Sequence, residues 1–163
     1  MILKELKLWN FRKFNSSGDV PGLVVEFHRG LNALVGENDA GKSAIIDAIK
    51  LILQTQSGEF VRVTEDDFYT DGKNVSPEFR IECSLIDLDT NEAKNFVEYL
   101  SIETQAGGKV AYLLKLRLRM RRENGRIIPE LRAGDGEDGL VIEGRARELL
   151  KCVYLKPLRD AAK

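Results

Sequence analysis

Two glycines, a lysine and a serine stand in the order G-x-x-x-x-G-K-[ST], within the run Gly36-Glu37-Asn38-Asp39-Ala40-Gly41-Lys42-Ser43. These residue types at this spacing suit the capture of a phosphate chain. Glycine reaches backbone angles closed to residues with a Cβ, so the loop curls and aims successive N–H groups at one point. That binding set runs over Gly36, Asn38, Asp39, Ala40, Gly41, Lys42, Ser43 and Ala44. Lys42 would reach the β- and γ-phosphates as the catalytic cation, and the Ser43 hydroxyl would ligate Mg²⁺. A glycine turn ahead of a core helix is the competing account, but the context favours the phosphate loop. The expected ligand is a nucleoside triphosphate, ATP with Mg²⁺.

The elements around the loop have the right order. Residues 31–35 (Leu-Asn-Ala-Leu-Val) read as a short buried strand before it, and residues 43–53 as a helix apolar over most of its circumference. A helix starting near Lys42 adds the positive end of its dipole at the same point as the loop N–H groups. Two further strands precede the loop. Residues 2–9 alternate, with Leu3, Glu5, Lys7 and Trp9 on one side and Ile2, Lys4, Leu6 and Leu8 on the other. Residues 23–27 form the second, after a basic-aromatic corner at 10–14 and a turn at 16–19.

Beyond the helix, residues 64–69 are an acidic stretch ending in Phe68 and Tyr69, read as an exposed loop with its aromatics tucked in. From Glu78 the chain alternates, Phe79, Ile81, Cys83 and Leu85 inward and Glu78, Arg80, Glu82 and Ser84 outward. A helix through Leu100 follows, capped by Thr90 or Asn91. Residues 110–122 are the longest alternating run, with Leu114, Leu116, Leu118 and Met120 facing the core. Asn124-Gly125 marks a hairpin turn into a strand from Arg126. Residues 132–139 read as a mobile loop, 142–150 as a helix and 152–155 as a last strand. The fold class is α/β, a P-loop NTPase of the ABC-ATPase type, with a mixed sheet around the P-loop helix and an antiparallel β lobe.

Lys115, Arg117, Arg119 and Arg121 occupy the outer face of the longest strand, successive cations lying about 6.8 Å apart. Two readings stand: a surface that tracks the phosphates of DNA, or a solvated face whose charges pair across the sheet with Glu78 and Glu82. His28, the only histidine, reads as a turn residue. Cys83 and Cys152 lack paired spacing and read as buried free thiols in a reducing, cytoplasmic setting. At 163 residues, 43% hydrophobic and with a net charge of −1, this is one domain or part of one. No apolar run approaches a membrane span, so no membrane partner is expected.

With these residues in view, Trp9-Asn10-Phe11-Arg12-Lys13-Phe14 resembles the opening shared by RecF, SMC and related DNA-repair ATPases. The loop followed by Ile46-Asp47-Ala48-Ile49 is similar to their G-x-N-x-x-G-K-[ST]-x-x-[LI]-[DE]-A-[LI] form. Asp66-Asp67-Phe68-Tyr69 and the run Tyr154-Leu155-Lys156-Pro157-Leu158-Arg159-Asp160-Ala161 resemble segments of the OLD-family ATP-dependent endonucleases. In that family an ABC-type ATPase precedes a Toprim nuclease domain. The resemblance implies that Arg12 and Asn38 contact or frame the nucleotide, and that residues 156–159 lie where related ATPases place the Q-loop. It also implies a homodimer with ATP sandwiched between subunits, and DNA as the partner of the whole protein.

A signature motif and a Walker B Asp-Glu pair are not evident. Residues 105–109 read as a hairpin turn, and Leu88 follows Asp87 where a catalytic glutamate would stand. The expectation is that residues 1–163 are the N-terminal part of an ABC-type ATPase domain, binding ATP without turnover by themselves. The alternatives are a RecF- or SMC-like ATPase without nuclease activity, and a nucleotide-regulated DNA- or partner-binding module.

Overall fold

The computed structural model describes residues 1–56, 62–104, 110–135 and 139–155. Strands β1 (Ile2–Trp9), β2 (Leu23–Glu26), β3 (Glu78–Ile86), β4 (Leu100–Thr104), β5 (Val110–Glu123), β6 (Arg126–Ala133) and β7 (Leu140–Val141) form one seven-stranded sheet. Its order is β2-β1-β3-β5-β6-β7, with β4 also paired to β5. Every ladder between these strands is antiparallel. The one parallel pairing among the described residues is the bridge between Thr55 and Cys152.

Period-two alternation puts the apolar residues of adjacent strands in rows. One row runs Val25, Leu6, Cys83, Leu116, Ala133, and the next Leu23, Leu8, Ile81, Leu118, Leu131. Onto this face packs helix α1 (Lys42–Leu53), which buries Ala44, Ile45, Ala48 and Ile52. Fully burying such side chains contributes about 1.5–3 kcal/mol each, which seats α1 on the sheet. Phe11, Phe68 and Phe79 close one end of the core, with ring centroids 5.0 and 4.9 Å apart for the two pairs. Asn124 and Gly125, with φ of 50° and 74°, make the tight turn between β5 and β6.

Several segments differ from the sequence expectation. Residues 31–35 form no strand, and Leu31 and Val35 are 97% and 91% exposed. Both edges of β1 are taken by β2 and β3, and the segment does not pair with the outer edge of β2 either. The acidic stretch is a 3₁₀ turn (Glu65–Asp67) with Asp67 buried, because Asp67 caps Thr64 and meets Arg12.

The helix expected to reach Leu100 is α2 (Thr90–Lys94) and ends there; pairing with β5 draws residues 100–104 into β4. Asp89 caps α2, its carboxylate accepting from Asn91 N and Glu92 N at 2.7 and 2.8 Å. Arg132 and Ala133 belong to β6. Helix α3 (Gly144–Leu149) lies within 142–150, but residues 153–155 are not in a strand, since only Cys152 bridges to Thr55. Cys83 is buried, and burial pushes its thiol up to about 12, while Cys152 is only partly buried. The expected turn at 105–109 and the Q-loop position at 156–159 lie outside the described residues. No helix among the described residues is long and apolar enough to cross a membrane.

Candidate phosphate-binding site

The loop of residues 36–41 ends at the first turn of α1. A turn bond from Ala40 N to Glu37 O, 3.2 Å, curls it, and Asp39 sits in the left-handed region at φ 69°. Gly41 is the N-cap of α1 at φ 95°. A Cβ on Gly41 would lie 2.6 Å from Phe14 Cζ and 3.2 Å from Lys13 Cε. Both the backbone angle and the space therefore demand glycine at this position.

Lys42 Nζ donates to the carbonyls of Gly36 and Glu37 at 2.7 and 2.5 Å, which holds the ammonium under the loop. Lys13 Nζ donates to the Asp39 carbonyl. Ser43 and the N–H groups that open α1 complete the cluster, and no acidic side chain occupies the first turn. A glycine-only cradle beside a lysine and a hydroxyl at a helix N-terminus fits a phosphate chain with Mg²⁺.

Arg12 sits one layer behind. Its Nε donates to Asp67 Oδ1 and its Nη1 to Asp47 Oδ2, both at 2.9 Å. Burial acts to lower the pKa of this guanidinium, but the bonds to Asp67 and Asp47 outweigh it and the net shift is upward. Asp47 lies one turn beyond Ser43 on α1, so Arg12 frames the loop through its helix. The corner that presents Arg12 is unusual backbone, with Asn10 and Arg12 at φ 50° and 52° around the fully buried Phe11. Bonds from Arg12 N to Asp67 O and from Tyr69 N to Asn10 O, each 2.8 Å, hold it there.

Asn38, Asp39, Ala40, Gly41, Lys42, Ser43 and Ala44 thus come together with Gly36 at one end of α1. Lys13, Phe14, Asp47 and Asp67 were not singled out from sequence as parts of this site. The basic-aromatic corner at 10–14 is the signal for the first two, and the carboxylates stand in the motif segments 46–49 and 66–69, which do not by themselves place them beside Arg12.

The basic strand is elsewhere. Lys115, Arg117, Arg119 and Arg121 project from the sheet face opposite α1 and each meets a carboxylate. Lys115 pairs with Asp135 at 2.6 Å, Arg117 with Glu82 at 2.6 Å, Arg119 with Glu78 at 3.7 Å and Arg121 with Glu123 at 3.3 Å. Glu82 and Glu78 are the cross-strand partners expected of a paired outer face.

A family model described as an AAA domain, AAA_23, matches residues 5–148. The chromosome partition protein Smc of Fusobacterium nucleatum is 26% identical over 160 residues, covering 92% of this chain and 13% of that protein. The DNA repair protein RecN of Bacillus subtilis is 46% identical over 65 residues, 39% of this chain and 10% of that protein. The DNA double-strand break repair Rad50 ATPase of Pyrococcus abyssi is 39% identical over 49 residues, 30% of this chain and 5% of that protein. This chain therefore spans a small fraction of the length of these relatives.

Among solved structures, one is described as "Structural biochemistry of ATP-driven dimerization and DNA stimulated activation of SMC ATPases". It superposes with a TM-score of 0.57 at 17% identity, covering 92% of this chain and 75% of that one. A second, "Crystal structure of the SmcHead bound to the C-winged helix domain of ScpA", has the same TM-score and identity and is covered over 39% of its length. These likenesses establish the ABC-type P-loop ATPase fold. By the family model that matches residues 5–148, the chain belongs to the AAA domain family AAA_23, with the ABC-type P-loop ATPase fold and similarity to Smc, RecN and Rad50 proteins.

Proposed function

We propose that this chain is the nucleotide-binding portion of an OLD-like ATP-dependent endonuclease acting on DNA. The observation that carries the nucleotide part is the Gly41–Lys42–Ser43 cradle at the N-terminus of α1, where only glycine fits. Gly36, Asn38, Asp39, Ala40, Gly41 and Ala44 would present backbone N–H groups to the phosphates, Lys42 its ammonium, and Ser43 its hydroxyl to Mg²⁺. Mg²⁺, when bound, supplies charge neutralisation for phosphoryl transfer. Arg12 anchors the second turn of the helix through Asp47.

Phosphoryl transfer is mostly positioning and charge stabilisation, so hydrolysis calls for residues that face the γ-phosphate from elsewhere. We infer that these come from a downstream segment and a second protomer closing over the same ATP. ATP-driven dimerisation described for SMC ATPases supports that reading. The OLD-like part rests on the sequences at 66–69 and 154–161. The similarity to Smc, RecN and Rad50 favours a second reading, a repair or chromosome ATPase without nuclease activity.

The test is ATP affinity, measured by anisotropy of a fluorescent ATP analogue with Mg²⁺. Replacing Lys42 with Ala removes a cation from two phosphates and should weaken binding at least about tenfold. Undiminished affinity in a folded Lys42→Ala protein would refute the phosphate-binding role.

A further inference from the structure

The β5–β6 hairpin outreaches the helix packed against it. Helix α1 stops at Leu53, whereas the apolar pairs Leu118–Leu131 and Met120–Pro129 continue toward Ile127 near the turn. Between this inner face, the end of α1 and the segment around α3 lies an open groove of about 610 Å³. Leu118, Met120, Ile127 and Leu131 make its floor. Its charged lining is of one sign: Lys50, Arg62, Arg147 and Lys151, with no carboxylate among the described residues.

Two of these cations are engaged by the fold. Lys50 Nζ lies 4.0 Å from the centroid of the Tyr154 ring, and Arg147 Nη1 donates to Ile52 O at 2.7 Å. Arg62 and Lys151 stand exposed on the rim.

A groove bordered by cations, with Ile127, Pro129 and Leu131 reachable over the buried Leu118 and Met120, matches an occupant that is apolar along one stripe and acidic beside it. A nucleic acid would use the cations and leave the floor wet. The chain's own residues 156–163 carry Lys156, Arg159 and Lys163 against Asp160 alone, which is the sign of the rim. We propose that this groove is a docking site for an amphipathic, acid-flanked helix of a protein partner. The site is separate from the phosphate loop at the other end of α1 and does not depend on nucleotide binding.

The probe is a fluorescein-labelled helical peptide of about 16 residues, with leucines at i, i+3, i+4 and i+7 and glutamates on both flanks. Its control carries lysines in place of the glutamates. Titrated with the full chain, the acidic peptide should bind and weaken with added salt, and the basic one should not bind. Arg62→Glu with Lys151→Glu should weaken the acidic peptide by about tenfold or more. Ile127→Ser tests the floor and should weaken it without changing the salt dependence. The charge reversals lie at exposed positions, and an unchanged urea midpoint will show that the variant is folded. Failure of the acidic peptide to bind, equal binding of both peptides, or indifference to the charge reversals would overturn the proposal.

Discussion

Arg12 ties three stretches of the chain together through one guanidinium. It reaches Asp47 on α1 and Asp67 in the 3₁₀ turn, 35 and 55 positions away, while its own backbone closes the corner after β1. The two carboxylates differ in what they lose without it. Asp67 is buried, with a side chain only 8% exposed, whereas that of Asp47 is 27% exposed. Arg12→Ala should therefore destabilise the fold by about 2–3 kcal/mol, mostly from the unpaired buried Asp67. Asp47→Asn should cost less than half of that. Urea unfolding followed by circular dichroism checks the order; equal costs would mean that Asp67 is not what Arg12 stabilises.

Helix α1 is treated oppositely at its two ends. The N-terminal turn carries no acid and holds its N–H groups beside Lys42 and Ser43. At the C-terminus, Lys50 sits in the last turn and Arg147 Nη1 binds the Ile52 carbonyl. Cations there complement the helix macrodipole and satisfy an end carbonyl. The cost is visible at Arg147, where burial pulls the guanidinium pKa below its ordinary value. Arg147→Met keeps the apolar stem and removes the donor. It should destabilise the protein by about 1–2 kcal/mol without changing nucleotide affinity, measured by denaturant unfolding and the ATP analogue.

At the scale of the whole molecule, the sheet face directly beneath α1 is packed and one apolar segment is not. Leu6, Leu8, Ile81, Leu114 and Leu116 are all within 1% of full burial beneath α1 and its neighbours. Residues 31–35, with the apolar composition of a core strand, have no strand partner among the described residues. Leu34 packs against the core, whereas the exposed Leu31 and Val35 contribute little here. Leu31→Ser together with Val35→Ser should change the unfolding free energy by no more than about 0.5 kcal/mol. Leu8→Ala should cost about 3–5 kcal/mol. Both are read from urea midpoints, and a large loss in the first variant would show that the segment is packed in solution.

Features that a few neighbouring residues decide can be read directly from the chain. The loop that opens α1 was legible because its glycines, lysine and serine stand within eight positions of one another. The faces of β3 and β5 were legible from period-two alternation, and the β5–β6 turn from Asn124-Gly125, whose left-handed angles those residues tolerate. Pairing of Arg117 and Arg119 with Glu82 and Glu78 followed once the two strands were in register. The tertiary structure alone decided matters of partnership over distance. Whether residues 31–35 become a strand depends on a partner edge, and the segment pairs with none among the described residues. Whether residues 100–104 continue a helix depends on β5, whose edge offered hydrogen bonds along the whole segment. Which carboxylates hold Arg12 depends on the fold bringing α1 and the 3₁₀ turn to one corner. No pattern in the chain encodes that meeting, because the contact exists only after the sheet has formed.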